Sequence, residues 1–430
     1  MKIAIINGHI IDPSQNLDGA GTIFVEDGIV KDIKPSAVGR QLSANCEIID
    51  AKGMIVAPGF IDLHTHLREP GFEYREDIAS GSRAAAAGGF TTILCMANTN
   101  PVNDNGAVTE MIVKRAREVG LVRVLPIGAV SKGLQGKELA EVGEMVTAGC
   151  VAISDDGRPV MSGKLMRHAL EYAKSFNVPV ITHAEDLTLS EGGCMHEGRV
   201  STELGLCGIP AAAEESMIQR DILLAKLADH HLHVAHVSTA RGIEMVRQAK
   251  KEKIPVTCEV TPHHLTLTDG TCLNFNTQAK VNPPLRTAAD CKALIAALND
   301  GTVDAIATDH APHSQDEKDI GFAHANCGMI GLEIALPVLL QLVSQKKLTM
   351  KRLIFLLTAG PAKVFGLKGG TLKKGMKADI VLFDPKGKNI INPEQFSSKS
   401  RNTPFANASM KGLVRYTLFE GKVVYSHDPL

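Results

Sequence analysis

A chain of 430 residues, 44% of them hydrophobic and 22% charged, has the composition of an ordinary globular protein and is neither disordered nor fibrous. A formal net charge of -1, without a long Lys/Arg block, supplies no global field for nucleic acid and favours a small ligand. Nine scattered cysteines, an odd number with no Cys-x-x-Cys pair, argue for reduced thiols in a cytoplasm and against a thiolate zinc site.

The apolar stretch at the N-terminus is too short for a signal-peptide core. Residues 2–6, 22–26, 29–33 and 47–50 are short β-rich runs separated by turn signals such as Asn7-Gly8 and Asp27-Gly28. The same texture returns at 378–383 and 421–425. Neither end alone has enough strands to cover an apolar face, so the pattern predicts a small β-sandwich domain built jointly from residues 1–57 and 366–430.

Between the ends, apolar runs at 60–63, 91–96, 122–130, 151–154, 178–182, 232–237, 256–260 and 303–307 alternate with segments of helical spacing, including 78–87, 163–176, 214–228 and 242–251. Eight such units over 58–365 predict an α/β fold of the (β/α)8 TIM-barrel type. A doubly wound open sheet is the alternative, and no Gly-x-Gly-x-x-Gly opens its first unit. The greasy stretch at 330–343 contains Glu333 and Pro337 and reads as a buried helix, not a membrane span.

In such a barrel the residues at strand C-terminal ends face the active-site mouth. Here they are His64 and His66, Asp155 and Asp156, His183, His236, and Asp309 with His313 close behind. His64 and His66 sit two apart, so a strand would point both to one face. Either His183 or His236 alone would be read as a core histidine, but together these residues suit a borderline metal such as zinc. Without thiolates, an open catalytic site and metal-assisted hydrolysis are the better expectation. Asp309 would touch a metal through one oxygen and carry water's proton to a leaving nitrogen through the other.

The run Asp62-Leu63-His64-Thr65-His66-Leu67-Arg68-Glu69-Pro70-Gly71 and the run from Ala307 through Asp309, His310, Pro312 and His313 to Lys318 resemble the two signature segments of the type I dihydroorotases, within the amidohydrolase superfamily. Residues 88–92, 96–101 and 281–286 extend the likeness over nearly the whole chain. The resemblance implies reversible cyclisation of N-carbamoyl-L-aspartate to L-dihydroorotate, a step of pyrimidine synthesis, with zinc, two ions per subunit. It implies that His64 and His66 hold one ion, that His183 and His236 hold the other, and that Asp309 is the catalytic carboxylate beside the first.

Many amidohydrolases bridge their metals with a carboxylated lysine. No lysine occupies that place here, and the resemblance gives it to Asp156, with Asp155 as the alternative. For substrate it implies Arg68, Asn98 and His313 around the carboxylate, His66 beside them, and Asn282 on the ring. Cys327 and Gly328 stand where the family has a Pro-Phe-Gly-like segment offering backbone groups to the pyrimidine. Residues 312–326 read as a mobile lid or a solvated loop. The rivals are an allantoinase or dihydropyrimidinase, whose substrates lack the ring carboxylate, and a silent partner of aspartate transcarbamoylase, which the four retained histidines disfavour. Aspartate transcarbamoylase or a second copy of the chain are the partners the resemblance allows.

Overall fold

The computed structural model describes residues 1–35 and 46–427; residues 36–45 and 428–430, assigned above to the terminal domain, lie outside the described residues. All eight apolar runs of the middle region contain strands: Phe60–Thr65, Phe90–Cys95, Arg123–Pro126, Ile153–Ser154, Val180–Thr182, Leu232–Val234, Val256–Val260 and Ala305–Ile306. The first three form one parallel sheet and the other five a second, each in chain order. Isolated parallel bridges, Gly128 to Ile153 and Thr65 to His310, link the sheets at both edges. Several strands are shorter than their apolar runs. Pairing stops before His236 and Asp309, whose φ angles of +32° and +48° take the chain out of the β region.

The helices between strands follow local rules. Ile78–Ala87 begins at Asp77, which forms a capping box with Ser80, and Gly163–Phe176 ends at Asn177 in the left-handed region. Ala211–Ala228 starts earlier than its periodicity suggests, because three alanines carry no polar contrast to mark the first turn. In Ala335–Ser344, Pro337 occupies the first turn, where a missing N–H breaks no helical bond. No helix among the described residues is long and apolar enough to cross a membrane.

Both chain ends meet in one eight-stranded sheet. Strand Ile55–Pro58 pairs antiparallel with Ile380–Ile390, which continues through Ser409–Phe419 to Lys422–Ser426. On its other side Ile55–Pro58 joins Lys2–Asp12, an 11-residue strand long enough to pair with Cys46–Asp50 along its first half and Ile55–Pro58 along its second. The chain ends, expected to form a small β-sandwich, thus contribute strands to one continuous sheet. Alternation serves two cores at once: Ile380 and Leu382 pack with Ile3, Ile23, Val56 and Leu418, while Val381 and Phe383 pack against the parallel strands. Phe60 lies 5.7 Å from Phe90 and 6.1 Å from Phe383 by ring centroids.

Between the strands ending at Ile390 and beginning at Ser409, the chain leaves this sheet. Ile391 and Phe405 there join a core with Phe322, Met329 and Val338. This excursion brings residues 398–402 to the loops that follow the parallel strands.

Candidate active site

His64 and His66 leave the first parallel strand on one face, as spacing requires. His64 Nδ1 lies 2.9 Å from Glu259 Oε1, and the other oxygen of Glu259 is 3.2 Å from His233 Nε2. His66 Nδ1 lies 3.0 Å from Asn98 Oδ1. Donation from both Nδ1 atoms leaves both Nε2 lone pairs aimed at the site interior. His183 and His236 approach from the opposite side, with His183 Nδ1 3.0 Å from His236 Nε2.

Asp156 sits between the two pairs. Its Oδ1 is 3.4 Å from His64 Nε2, 3.5 Å from His183 Nδ1 and 3.5 Å from His236 Nε2, and its Oδ2 is 3.5 Å from His66 Nε2. Asp309 adjoins the first pair, 3.1 Å from His66 Nε2 and 3.5 Å from His64 Nε2. Two groups emerge that could each hold a metal ion: His64, His66 and Asp156, and Asp156, His183 and His236. Asp155 faces elsewhere. It accepts from the backbone N–H groups of Val130 and Ser131 at 2.8 and 2.9 Å and from the Ser131 hydroxyl.

The donor set fits a divalent cation. His64 Nε2 and Asp156 Oδ1 are fully buried, face each other, and have no hydrogen-bond partner. Burial alone would raise the Asp156 carboxyl, yet His64, His183 and His236 outweigh it and hold the group well below its ordinary range. Burial likewise opposes charge on His183, but Asp156 and Glu185 pull it up to about 10. The carboxylates therefore demand positive charge at this point, which a metal ion supplies without protonating the imidazoles.

On the rim, Arg68 has a φ of +62° and is 8% exposed. Its Nε donates to Pro312 O at 3.3 Å and its Nη2 lies 3.4 Å from His313 Nε2. The neighbouring acids are committed elsewhere: Glu69 to the Ile78 N–H and Arg115, Glu73 to the Gly71 N–H. Arg68 is thus a buried cation beside the metal-binding cluster with neither acid paired to it, and burial pushes it down to about 10. His313 Nε2 donates to Cys327 O at 2.9 Å, and its buried Nδ1 makes no hydrogen bond but lies 3.5 Å from Glu317 Oε2. Burial, with Arg68 next, pushes His313 down to about 3, so its ring is neutral. Asn282 Nδ2 donates to Glu185 Oε2 at 2.8 Å, beside His183.

The Gly328 N–H donates to Lys280 O at 2.9 Å, and its carbonyl accepts from Lys318 and Asn402. Its place at the site is steric, because at φ +138° a Cβ would lie 2.7 Å from Ala311 Cβ and 3.0 Å from His313 Nε2. The segment 312–326 is anchored by its own contacts. Glu317 binds Arg75, Tyr74 and the Ser314 N–H, and Lys318 is wholly buried. Cys327 is an exposed free thiol.

Sequence reasoning missed Glu259, His233, Glu185, Asn402 and Lys318 as contributors. Glu259 carried a signal, a lone charge inside the apolar strand Val256–Val260. Asn402 carried none, since its partners are distant backbone groups.

A family model described as dihydro-orotase-like matches residues 53–242, and an amidohydrolase family model matches 339–425. A dihydroorotase of Geotalea daltonii is 50% identical over 428 residues, all of both chains. One of Pelobacter propionicus is 51% identical, covering 99% of this chain and 100% of its own. One of Syntrophobacter fumaroxidans is 52% identical over 97% of this chain and 95% of its own. Among solved structures, L-hydantoinase from Arthrobacter aurescens superposes with a TM-score of 0.88 at 28% identity, covering 100% of this chain and 97% of its own. Dihydropyrimidinase from Brevibacillus agri gives 0.85 at 25% identity, covering 99% and 95%. The fold is thus shared with a hydantoinase and a dihydropyrimidinase, while about half of all residues along the full length match proteins named dihydroorotase: the chain belongs to the dihydroorotase family.

Proposed function

We propose that the cluster around Asp156 is the centre at which this chain interconverts L-dihydroorotate and N-carbamoyl-L-aspartate. The observation that carries the reading is Arg68, a buried guanidinium with neither neighbouring acid for a partner, beside two metal-binding groups that share one aspartate. A planar carboxylate can accept from two of the guanidinium N–H donors. The same reading assigns two zinc ions per subunit, one to His64, His66 and Asp309 and one to His183 and His236, with Asp156 between them. It also closes the two parallel sheets as a (β/α)8 barrel over 58–365 through the bridges at Gly128 and His310. Residues 1–57 and 366–430 then form the accessory β domain.

When bound, the metal supplies Lewis acidity that activates water and polarises an amide carbonyl at neutral pH. The chain's own residues do the rest. Arg68 and the free amide hydrogens of Asn98 orient the substrate carboxylate, with the His313 ring, whose one N–H is given to Cys327 O, packed beside Arg68. Asn282, its Nδ2 held by Glu185, presents its Oδ1 to a ring N–H. In the hydrolytic direction water adds to the ring amide carbon, Asp309 takes its proton, the ring C–N bond breaks, and Asp309 returns the proton to the departing nitrogen. The neighbouring imidazoles, His64 foremost, outweigh burial and keep Asp309 ionised, ready to accept.

The test is turnover of L-dihydroorotate by purified zinc-loaded protein, with allantoin and dihydrouracil in parallel and bound metal counted in the same sample. Turnover of dihydroorotate alone supports the reading. Turnover of either rival, or of none with metal bound, overturns it.

A further inference from the structure

Lys318 ends the second signature run, yet no step above uses it. Its side chain is 0% exposed. The ammonium donates to three carbonyls, Asn326 O at 2.8 Å, Gly328 O at 3.0 Å and Lys280 O at 3.4 Å. Lys280 repeats the pattern on a smaller scale, donating to Phe322 O at 2.8 Å and Ala323 O at 3.0 Å. Burying an ammonium against neutral carbonyls is costly. Burial accordingly pushes Lys318 down to about 8.

What this charge organises is the backbone at Cys327 and Gly328. The Gly328 carbonyl takes a second donor from Asn402 Nδ2 at 3.1 Å. The same amide donates to Ala311 O at 3.0 Å, and its oxygen accepts the His313 N–H at 3.2 Å. Three converging donors and acceptors thus fix the main chain on both sides of His313. The His313 ring is pressed against Gly328, where no Cβ fits, and donates to Cys327 O. Arg68 is the next group along, 3.4 Å from His313.

We propose that Lys318, seconded by Asn402, is a positioning residue for the substrate-carboxylate clamp: its carbonyl-bound ammonium holds the Cys327-Gly328 backbone, which seats His313 against Arg68. The proposal rests on the assignment of Arg68 to that carboxylate, with His313 packed against it. It makes the loop core, not a closing lid, the element that sets affinity for the anionic end of the substrate.

The experiment compares full-length, zinc-loaded wild type, Lys318→Met, Asn402→Ala, His313→Ala and the His313→Ala/Lys318→Met double variant on L-dihydroorotate, with metal content and melting temperature recorded. Lys318→Met should raise KM by about tenfold or more while kcat stays within about threefold and metal content is unchanged. Asn402→Ala should move KM the same way. In the His313→Ala background the Lys318 change should shift KM by less than about twofold, because the group it seats is gone. An unchanged KM, a full shift in the double variant, or a fall in kcat in step with metal loss would overturn the proposal. If Lys318→Met does not fold, Asn402→Ala decides by the same criteria. A wild type inactive on L-dihydroorotate would instead sink the functional reading itself.

Discussion

Asp155 and Asp156 are consecutive, yet their carboxylates serve different structures: Asp155 collects the N–H groups of Val130 and Ser131, and Asp156 stands among four imidazoles. The two Asn variants should separate accordingly. Asp155→Asn should keep its metal and lose about 2–3 kcal/mol of stability, the worth of hydrogen bonds to a buried charge. Asp156→Asn should stay folded but bind metal poorly and lose at least about 100-fold in turnover. Urea unfolding and metal analysis of both proteins check this, and the reverse pattern would exchange their roles.

Asp309→Asn removes the proposed proton carrier but leaves His64, His66 and Asp156 in place. It should fold, retain most of its metal, and lose about 10²–10⁴-fold in kcat. Near wild-type kcat in a metal-replete sample would remove Asp309 from proton transfer.

Arg68→Met replaces the unpaired guanidinium with an apolar chain of similar reach. KM for L-dihydroorotate should rise by at least about 10- to 150-fold, the worth of even one of its charge-assisted bonds, with metal content untouched. Steady-state kinetics beside metal analysis measure both; a KM within twofold of wild type would leave the carboxylate to other residues.

Chelation should abolish turnover and lower the melting temperature, and zinc should restore both. A ligand present at about 1,000 times its Kd stabilises the folded state by about 4 kcal/mol. A melting curve indifferent to chelator would mean that the buried His64, His66, His183 and His236 cluster holds no ion that matters to folding.

Lys318 makes stability depend on alkaline pH with a definite sign. Its folded pKa of about 8 lies below the ordinary value of 10.5. Between those two values the unfolded chain binds the proton and the folded one does not, so stability rises with pH across that window. Lys318→Met lacks this contribution. The stability difference between wild type and variant should therefore shift in favour of wild type by about 3 kcal/mol from pH 8 to 10.5, read by urea titration at each pH. A flat difference would refute the burial-driven shift.

The strands and helices of the middle region were legible because short apolar runs and helical apolar spacing are local signals, and the ends of two helices agree with the cap at Asp77 and the left-handed Asn177. Ser409–Phe419 was not, since Gly412 and interspersed charges blur its alternation and its partners lie far away in sequence. For the candidate site, spacing alone pointed to the histidines and Asp309. The preference for Asp156 over Asp155 came from a resemblance, because adjacent aspartates after a strand are equivalent until the backbone decides which faces inward. Lys318 and Asn402 act on carbonyls, and backbone carbonyls leave no trace in side-chain patterns.

The pairing of Ile55–Pro58 with Ile380–Ile390 also sets an order of events during synthesis. Residues 2–58 emerge from the ribosome first, but Ile3, Ile23 and Val56 have no complete core until Ile380, Leu382 and Leu418 arrive. Loop closure over the whole intervening region must come before that reward. Nascent chains halted short of residue 380 should be cleaved by protease within the first 58 residues, and protection there would contradict this order. Strands made early are thus completed late, and every unfinished chain carries an uncovered hydrophobic sheet until residue 418 has been added.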